Sequence, residues 1–174
     1  MRVDNSNIAA IVLAGGRSSR MGQNKAFLKY HGVSMLDHTI SLLKKLGLND
    51  IYVSGNVEGY RCIPDEISYQ GPAKAIVHII KKLHDYSGVL FVPVDMPLLE
   101  IEVLERLIKH KNGAYYKDWP LPAFVTTLSD VEDISSVHNL LVRNKVEAIP
   151  LLEKHKKYFV NINTPKEWEK VIAL

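Results

Sequence analysis

Six consecutive apolar residues, Ile8-Ala9-Ala10-Ile11-Val12-Leu13, run without alternation and stop abruptly at Ala14-Gly15-Gly16. A strand with one wet face alternates. One that does not is buried on both faces, as in a parallel sheet with helices on each side. Two further runs repeat the pattern: Ile51-Tyr52-Val53 and Gly88-Val89-Leu90-Phe91-Val92-Pro93-Val94. Helical spacing fills the gaps. Leu36, Ile40, Leu43 and Leu46 share a stripe that Gly47 ends, and Ala73, Ile76, Val77, Ile80 and Leu83 follow Pro72. Ile101, Leu104, Leu107 and Ile108 form a third stripe. Thr164-Pro165-Lys166-Glu167 reads as N-cap, proline at N1 and glutamate at N3, a capping box that opens a terminal helix. Between Gly113 and Pro150 the pattern is less regular. It predicts strands near Ala114–Tyr116 and Leu121–Thr126, a helix near Ile134–Arg143 and a strand at Glu147–Leu151. Strands alternating with helices predict an α/β fold, doubly wound, with a mostly parallel sheet and helices on both faces.

Length and composition narrow the class. With 174 residues, no internal repeat and no linker-like tract, one domain spanning 1–174 is expected. An apolar share of 47% and a charged share of 24% are globular values, which argues against disorder. The lone cysteine, Cys62, rules out an intramolecular disulfide and a cysteine-based zinc site, and reads as a small buried hydrophobe. A formal charge of +3 is too small to suggest nucleic-acid binding. The first residues lack a long apolar segment, and no apolar run approaches the roughly 20 residues of a spanning helix. A soluble, cytoplasmic protein without a membrane partner is expected. Lys154-His155-Lys156-Lys157 reads as a solvated loop.

The loop after the first run carries the chemistry. In a doubly wound sheet, ligands bind beyond the carboxyl ends of the strands. Residues 14 to 25 hold Gly15, Gly16, Gly22, Arg17, Arg20 and Lys25, and no acid. Glycines let backbone N–H groups approach phosphate oxygens, and the cations supply charge. This combination suits a polyphosphate; the plainer reading is a glycine-rich solvent loop with incidental cations. The spacing is neither the dinucleotide fingerprint nor the Walker motif.

Leu13-Ala14-Gly15-Gly16-x-x-x-Arg20-Met21-Gly22-x-x-Lys25 resembles the opening motif of the Rossmann-like nucleotidyltransferases. Within that superfamily it is most similar to the molybdenum cofactor guanylyltransferases. Four further stretches match in order: Gln70-Gly71-Pro72-Ala73, Pro93-Val94-Asp95-Met96-Pro97, Trp119-Pro120-Leu121-Pro122-Ala123-Phe124 and Val160-Asn161-Ile162-Asn163-Thr164-Pro165. The resemblance implies transfer of GMP from GTP to the phosphate of molybdopterin, with Mg²⁺ and release of pyrophosphate. Other molybdenum cofactor proteins or acceptor molybdoenzymes are implied as transient partners. It further implies nucleotide contacts at Leu13, Ala14, Gly15, Gly16, Lys25, Ser54, Asp65 and Asp95. Asp95 is the implied metal ligand, and Arg20, Lys25 and Asp95 the implied catalytic set.

The chain departs from the family pattern at Asn24, where an aspartate is usual, and at Lys74-Ala75, where Ala-Gly is usual. Ser54 stands in place of an asparagine, with Asn56 two residues on. For Asp95, a helix N-cap in Asp-Met-Pro before a helix starting near Leu99 or Ile101 is the alternative role. Tyr115, Tyr116 and Trp119 could stack on a pterin or serve as core or rim. The seven histidines show no metal-ligand spacing and read as surface or packed residues. Two competing readings remain. One is a relative using another nucleotide or acceptor, such as a molybdopterin cytidylyltransferase or a sugar-phosphate nucleotidyltransferase. The other is a catalytically impaired binding protein of the same fold.

Overall fold

A computed structural model of the chain describes residues 7–14, 24–64 and 71–174. The unalternating runs are strands buried on both faces: β1 (Ile8–Leu13) is buried at every position, and β6 (Gly88–Pro93) at all but its last. In β1 the residues Ile8, Ala10 and Val12 face one core, and Ala9, Ile11 and Leu13 face the other.

The remaining strands are β2 (Lys29–Tyr30), β3 (Val33–Ser34), β4 (Asp50–Ser54), β5 (Cys62–Ile63), β7 (Ala114–Tyr116), β8 (Trp119–Val125) and β9 (Glu147–Ile149). Seven of them form one sheet in the order β5-β4-β1-β6-β8-β7-β9, while β2 and β3 form a small antiparallel pair. The β1–β4, β1–β6, β4–β5 and β7–β9 pairings are parallel; β8 runs antiparallel to both its neighbours. The expected mostly parallel, doubly wound α/β sheet is therefore present.

Helices α1 (Met35–Lys45), α3 (Ile101–Ile108) and α5 (Pro165–Ile172) pack on one face, and α2 (Pro72–Lys82) and α4 (Val137–Arg143) on the other. Each follows its sequence signals. Pro72 is the first residue of α2, where the missing N–H costs nothing. Gly47, at φ 89°, follows the C-cap of α1 in a left-handed conformation that a side chain would strain. Thr164 and Glu167 make the full capping box at the start of α5.

Several expectations are corrected. β8 begins at Trp119 and takes in Pro120 and Pro122, two residues earlier than the pattern predicts. The helix expected from Ile134 starts at Val137, where Ser136 accepts the Asn139 N–H as N-cap, and β9 ends at Ile149. Lys154–Lys157 lies in a 3-10 turn, Glu153–Tyr158, and His155 within it is 3% exposed. Cys62 is half-buried at a sheet edge, its thiol bonded to Val57. Tyr115 and Tyr116 are buried in opposite cores. Burial pushes the Tyr116 hydroxyl up to about 12 while it donates to the Val103 carbonyl.

Candidate active site

The strand order reverses its direction of growth at β1. The chain passes from β1 through α1 to β4 on one side, then returns through α2 to β6 on the other. Diverging connections leave a crevice at the carboxyl ends of the two central strands. Leu13 and Pro93 end those strands side by side, and Val94 N–H donates to the Leu13 carbonyl at 3.2 Å. The ladder thus carries the chain one step past β6 and delivers Asp95 to the crevice.

Three segments converge there on a cleft of about 330 Å³. The first is the turn after the opening loop. Asn24 Oδ1 accepts the Ala26 N–H at 3.0 Å, capping a 3-10 turn over Lys25–Phe27, and fully buried Ala26 fixes the turn to the core. The asparagine keeps the capping oxygen that an aspartate would offer, without its charge. Lys25 therefore leaves a fixed backbone and points into the cleft. The second segment is Asp95 itself. The third, residues 161–163, is held by the Ile162 N–H donating to the Asp95 carbonyl at 2.9 Å and by the completely buried Ile162 side chain. Alternation around Ile162 turns Asn161 and Asn163 to the cleft together.

The ammonium of Lys25 bridges the other two segments. It lies 3.3 Å from Asp95 Oδ2 and donates to Asn163 Oδ1 at 2.8 Å. Its side chain is 17% exposed and that of Asp95 25%. Lys25 is therefore a part-buried, paired cation. The α5 N-terminus supports it from behind. Glu167 Oε2 accepts the N–H groups of Asn163 and Thr164 at 2.7 and 2.8 Å, and those bonds hold its carboxyl below the usual carboxylate range. Asp95 is not a helix N-cap, since Glu100 occupies that position before α3.

The walls are apolar. Leu13, Ala14 and Pro72 line the β1 side, and Trp119, Pro120 and Leu121 line the β8 side. Of the residues singled out from the sequence, Leu13, Ala14, Lys25 and Asp95 meet in this cleft. Ser54 is buried at the end of β4 and does not line it, and Asn56 is exposed beyond it. Gly15, Gly16, Arg20 and Asp65 lie outside the described residues. Asn161 and Asn163 were missed as site residues, although the Asn-x-Asn alternation before the capping box was the signal that could have found them.

The donor set suits a hard cation. The cleft offers the Asp95 carboxylate and the amide oxygens of Asn161 and Asn163. No cluster of three or more His, Cys, Asp or Glu side chains exists among the described residues. One carboxylate with neutral oxygens suits an ion that completes its shell with phosphate and water, as Mg²⁺ does.

Comparison with known proteins identifies the family. A family profile described as the MobA-like NTP transferase domain matches residues 10–132. The chain belongs to that family. The MobA-like chain is 33% identical, over 93% of both sequences, to a molybdenum cofactor guanylyltransferase of Xanthomonas euvesicatoria. Its fold superposes with a TM-score of 0.72 and 21% identity on molybdopterin-guanine dinucleotide biosynthesis protein A of Archaeoglobus fulgidus, covering 95% of this chain and 97% of that one. A manganese complex of Rv0371C from Mycobacterium tuberculosis superposes with a TM-score of 0.60 at 14% identity, over 96% and 98% of the two chains. The MobA-like chain is thus a member of a nucleotidyltransferase family, and among its described residues no helix is long and apolar enough to cross a membrane.

Proposed function

We propose that the protein transfers GMP from GTP to the phosphate of molybdopterin and releases pyrophosphate, acting in the cytoplasm on two small-molecule substrates. The observation that carries this reading is the Lys25–Asp95–Asn163 cluster at the joined ends of β1 and β6. A cation and a carboxylate able to hold a divalent ion share one crevice there, which is what two mutually repelling phosphate substrates require. The names of the relatives supply the nucleotide and the acceptor.

In this reading an oxygen of the acceptor phosphate attacks the α-phosphorus of GTP. The new P–O bond forms as the bond from the α-phosphorus to the bridging oxygen breaks, and pyrophosphate leaves with the electron pair. No protein nucleophile is needed, so the chain contributes alignment and charge. A divalent ion held by Asp95 would neutralise charge on the triphosphate. Lys25 turns from Asp95 to the phosphates when they enter, because its ammonium is a compact charge on a flexible stem. Asn163 keeps hold of Lys25 through that movement, and Asn161 and Asn163 orient the oxygens around Asp95. By the family resemblance alone, Gly15, Gly16, Arg20 and Asp65 are assigned to the nucleotide as well.

Turnover with GTP, CTP and ATP, each with Mg²⁺ and molybdopterin, tests the proposal. Guanine dinucleotide formed from GTP alone is the expected result. Preference for CTP would replace it with the cytidylyl reading. Tight nucleotide binding without transfer would make the chain a binding protein of this fold.

A further inference from the structure

The segment after β6 has two sides. Asp95 and Met96 line the candidate cleft, while the next residue, buried Pro97, lines a separate cavity of about 490 Å³. The two spaces share no lining residue. The second is walled by the β2–β3 turn, α1, the start of α3 and the 3-10 turn Glu153–Tyr158. The proposed transfer leaves it unused.

Its walls are held in place. His31 and Gly32 join β2 to β3 at φ 47° and 83°, the two left-handed positions that a tight hairpin turn takes. The His31 ring meets buried Tyr30 edge-on at 4.2 Å, and His38 from α1 meets the same tyrosine edge-on at 4.9 Å. His38 Nε2 donates to the Pro97 carbonyl at 3.0 Å; a carbonyl only accepts, so that nitrogen carries the proton. Burial lowers the imidazole's affinity for a second proton, which leaves it neutral at neutral pH. Leu42, Leu98, Leu99 and Ile101 supply an apolar floor.

Charge at the rim is one-sided. Lys45 comes from the last turn of α1 and Lys157 from the 3-10 turn, with its Nζ 5.0 Å from the Tyr158 ring centroid. One exposed carboxylate, Glu100, stands against these two ammonium groups, so positive charge is in surplus. The histidines and Glu100 do not make a metal site, because no group of three His, Cys, Asp or Glu able to hold an ion exists among the described residues.

We propose that this cavity is a second ligand site, which takes a planar aromatic monoanion. The ligand's ring lies among Tyr30, His31 and His38 over the leucine floor, and its acidic group meets Lys45 and Lys157 at the rim. The volume is that of a small-molecule pocket, apolar inside with a few placed polar groups. Rings already held by the hairpin turn and by the His38–Pro97 bond cost little ordering when a flat ligand enters. Occupancy needs neither nucleotide nor metal, so the site stands or falls independently of guanylyl transfer.

The probe is anilinonaphthalene sulfonate, an aromatic monoanion whose emission rises in apolar surroundings. Titrated into the full chain, it should give saturable emission. Lys45→Gln and Lys157→Gln should each weaken binding about threefold, and the two together on the order of tenfold, as expected for exposed charge pairs. Ser41→Trp, at an exposed position of α1 on the rim, fills the cavity and should abolish the signal with Tm unchanged. If Ser41→Trp lowers Tm, the double lysine variant decides alone. Lys25→Ala, in the cleft, should leave the titration unaltered. Loss of binding in Lys25→Ala would put the probe in the candidate active site and overturn the proposal. Emission that does not saturate, or that the double lysine substitution leaves unchanged, overturns it equally.

Discussion

Lys25 donates to Asn163 across 138 positions of sequence, at 2.8 Å. The bond joins the first loop of the chain to the start of its last helix, and the same ammonium lies 3.3 Å from Asp95. Each partner is held by backbone bonds of its own, so the three side chains form a fixed arrangement around one cation.

Replacing that cation tests its role. Lys25→Ala leaves Asp95 facing a cleft that water reaches, so the cost in stability is about 1 kcal/mol, read as a small fall in Tm. Turnover should fall on the order of 100-fold, because charge on the phosphates goes unanswered. Full activity in a strongly destabilised variant would make Lys25 a structural residue only.

Asp95→Asn separates charge from shape. The amide is nearly isosteric, and the Asp95 carbonyl keeps its bond from Ile162. Tm should change little, while turnover should require far more Mg²⁺ or drop on the order of 100-fold. Superimposable Mg²⁺ curves for both forms would remove Asp95 from the metal site.

Glu167 predicts the acid limb of stability. Its carboxyl is held below the usual range by the N–H groups of Asn163 and Thr164. The unfolded chain therefore takes up this proton first as pH falls. The stabilisation is complete above the unfolded pKa of about 4.3 and is lost as pH falls through the lower folded value. Glu167→Gln should flatten the dependence of Tm on pH below about 5. It should also slow turnover at neutral pH by loosening Asn163. An unchanged acid limb would place the acid sensitivity elsewhere.

Gly113 tests the sheet. A Cβ there would stand 2.6 Å from the Phe124 carbonyl, and the residue has φ 83°. Gly113→Ala combines a backbone clash with a left-handed conformation, and should cost about 1–3 kcal/mol in urea unfolding. A loss well below that range would show that the β7–β8 pair shifts freely.

The parts of the fold that could be read from sequence are those where one physical signal acts alone. β1 and β6 show as unbroken apolar runs because both faces are buried, and α5 shows because Thr164, Pro165 and Glu167 each satisfy a specific need of a helix start. The start of β8 was read two residues late because Pro120 weakens the strand signal there, although the sheet accepts it. The two-residue strands β2, β3 and β5 are too short for any periodicity. Lys154–Lys157 reads as solvated from its charge, yet His155 lies 3.1 Å from Glu102 and is nearly inaccessible, which depends on how the turn packs on α3. Within the site, Asp95 was legible at a strand end. Asn163 was not, because its role comes from a lysine far away in the sequence.

Every strand of the sheet lies within residues 8–149, whereas Asn161, Ile162 and Asn163 follow all of them. During synthesis the sheet's hydrogen bonds are fully encoded before the ribosome reaches the segment that seats Lys25. Architecture and cleft are thus encoded in successive stretches of the chain. A stop codon placed between Ile149 and Asn161 separates the two, leaving a sheet whose Lys25 lacks the Asn163 acceptor.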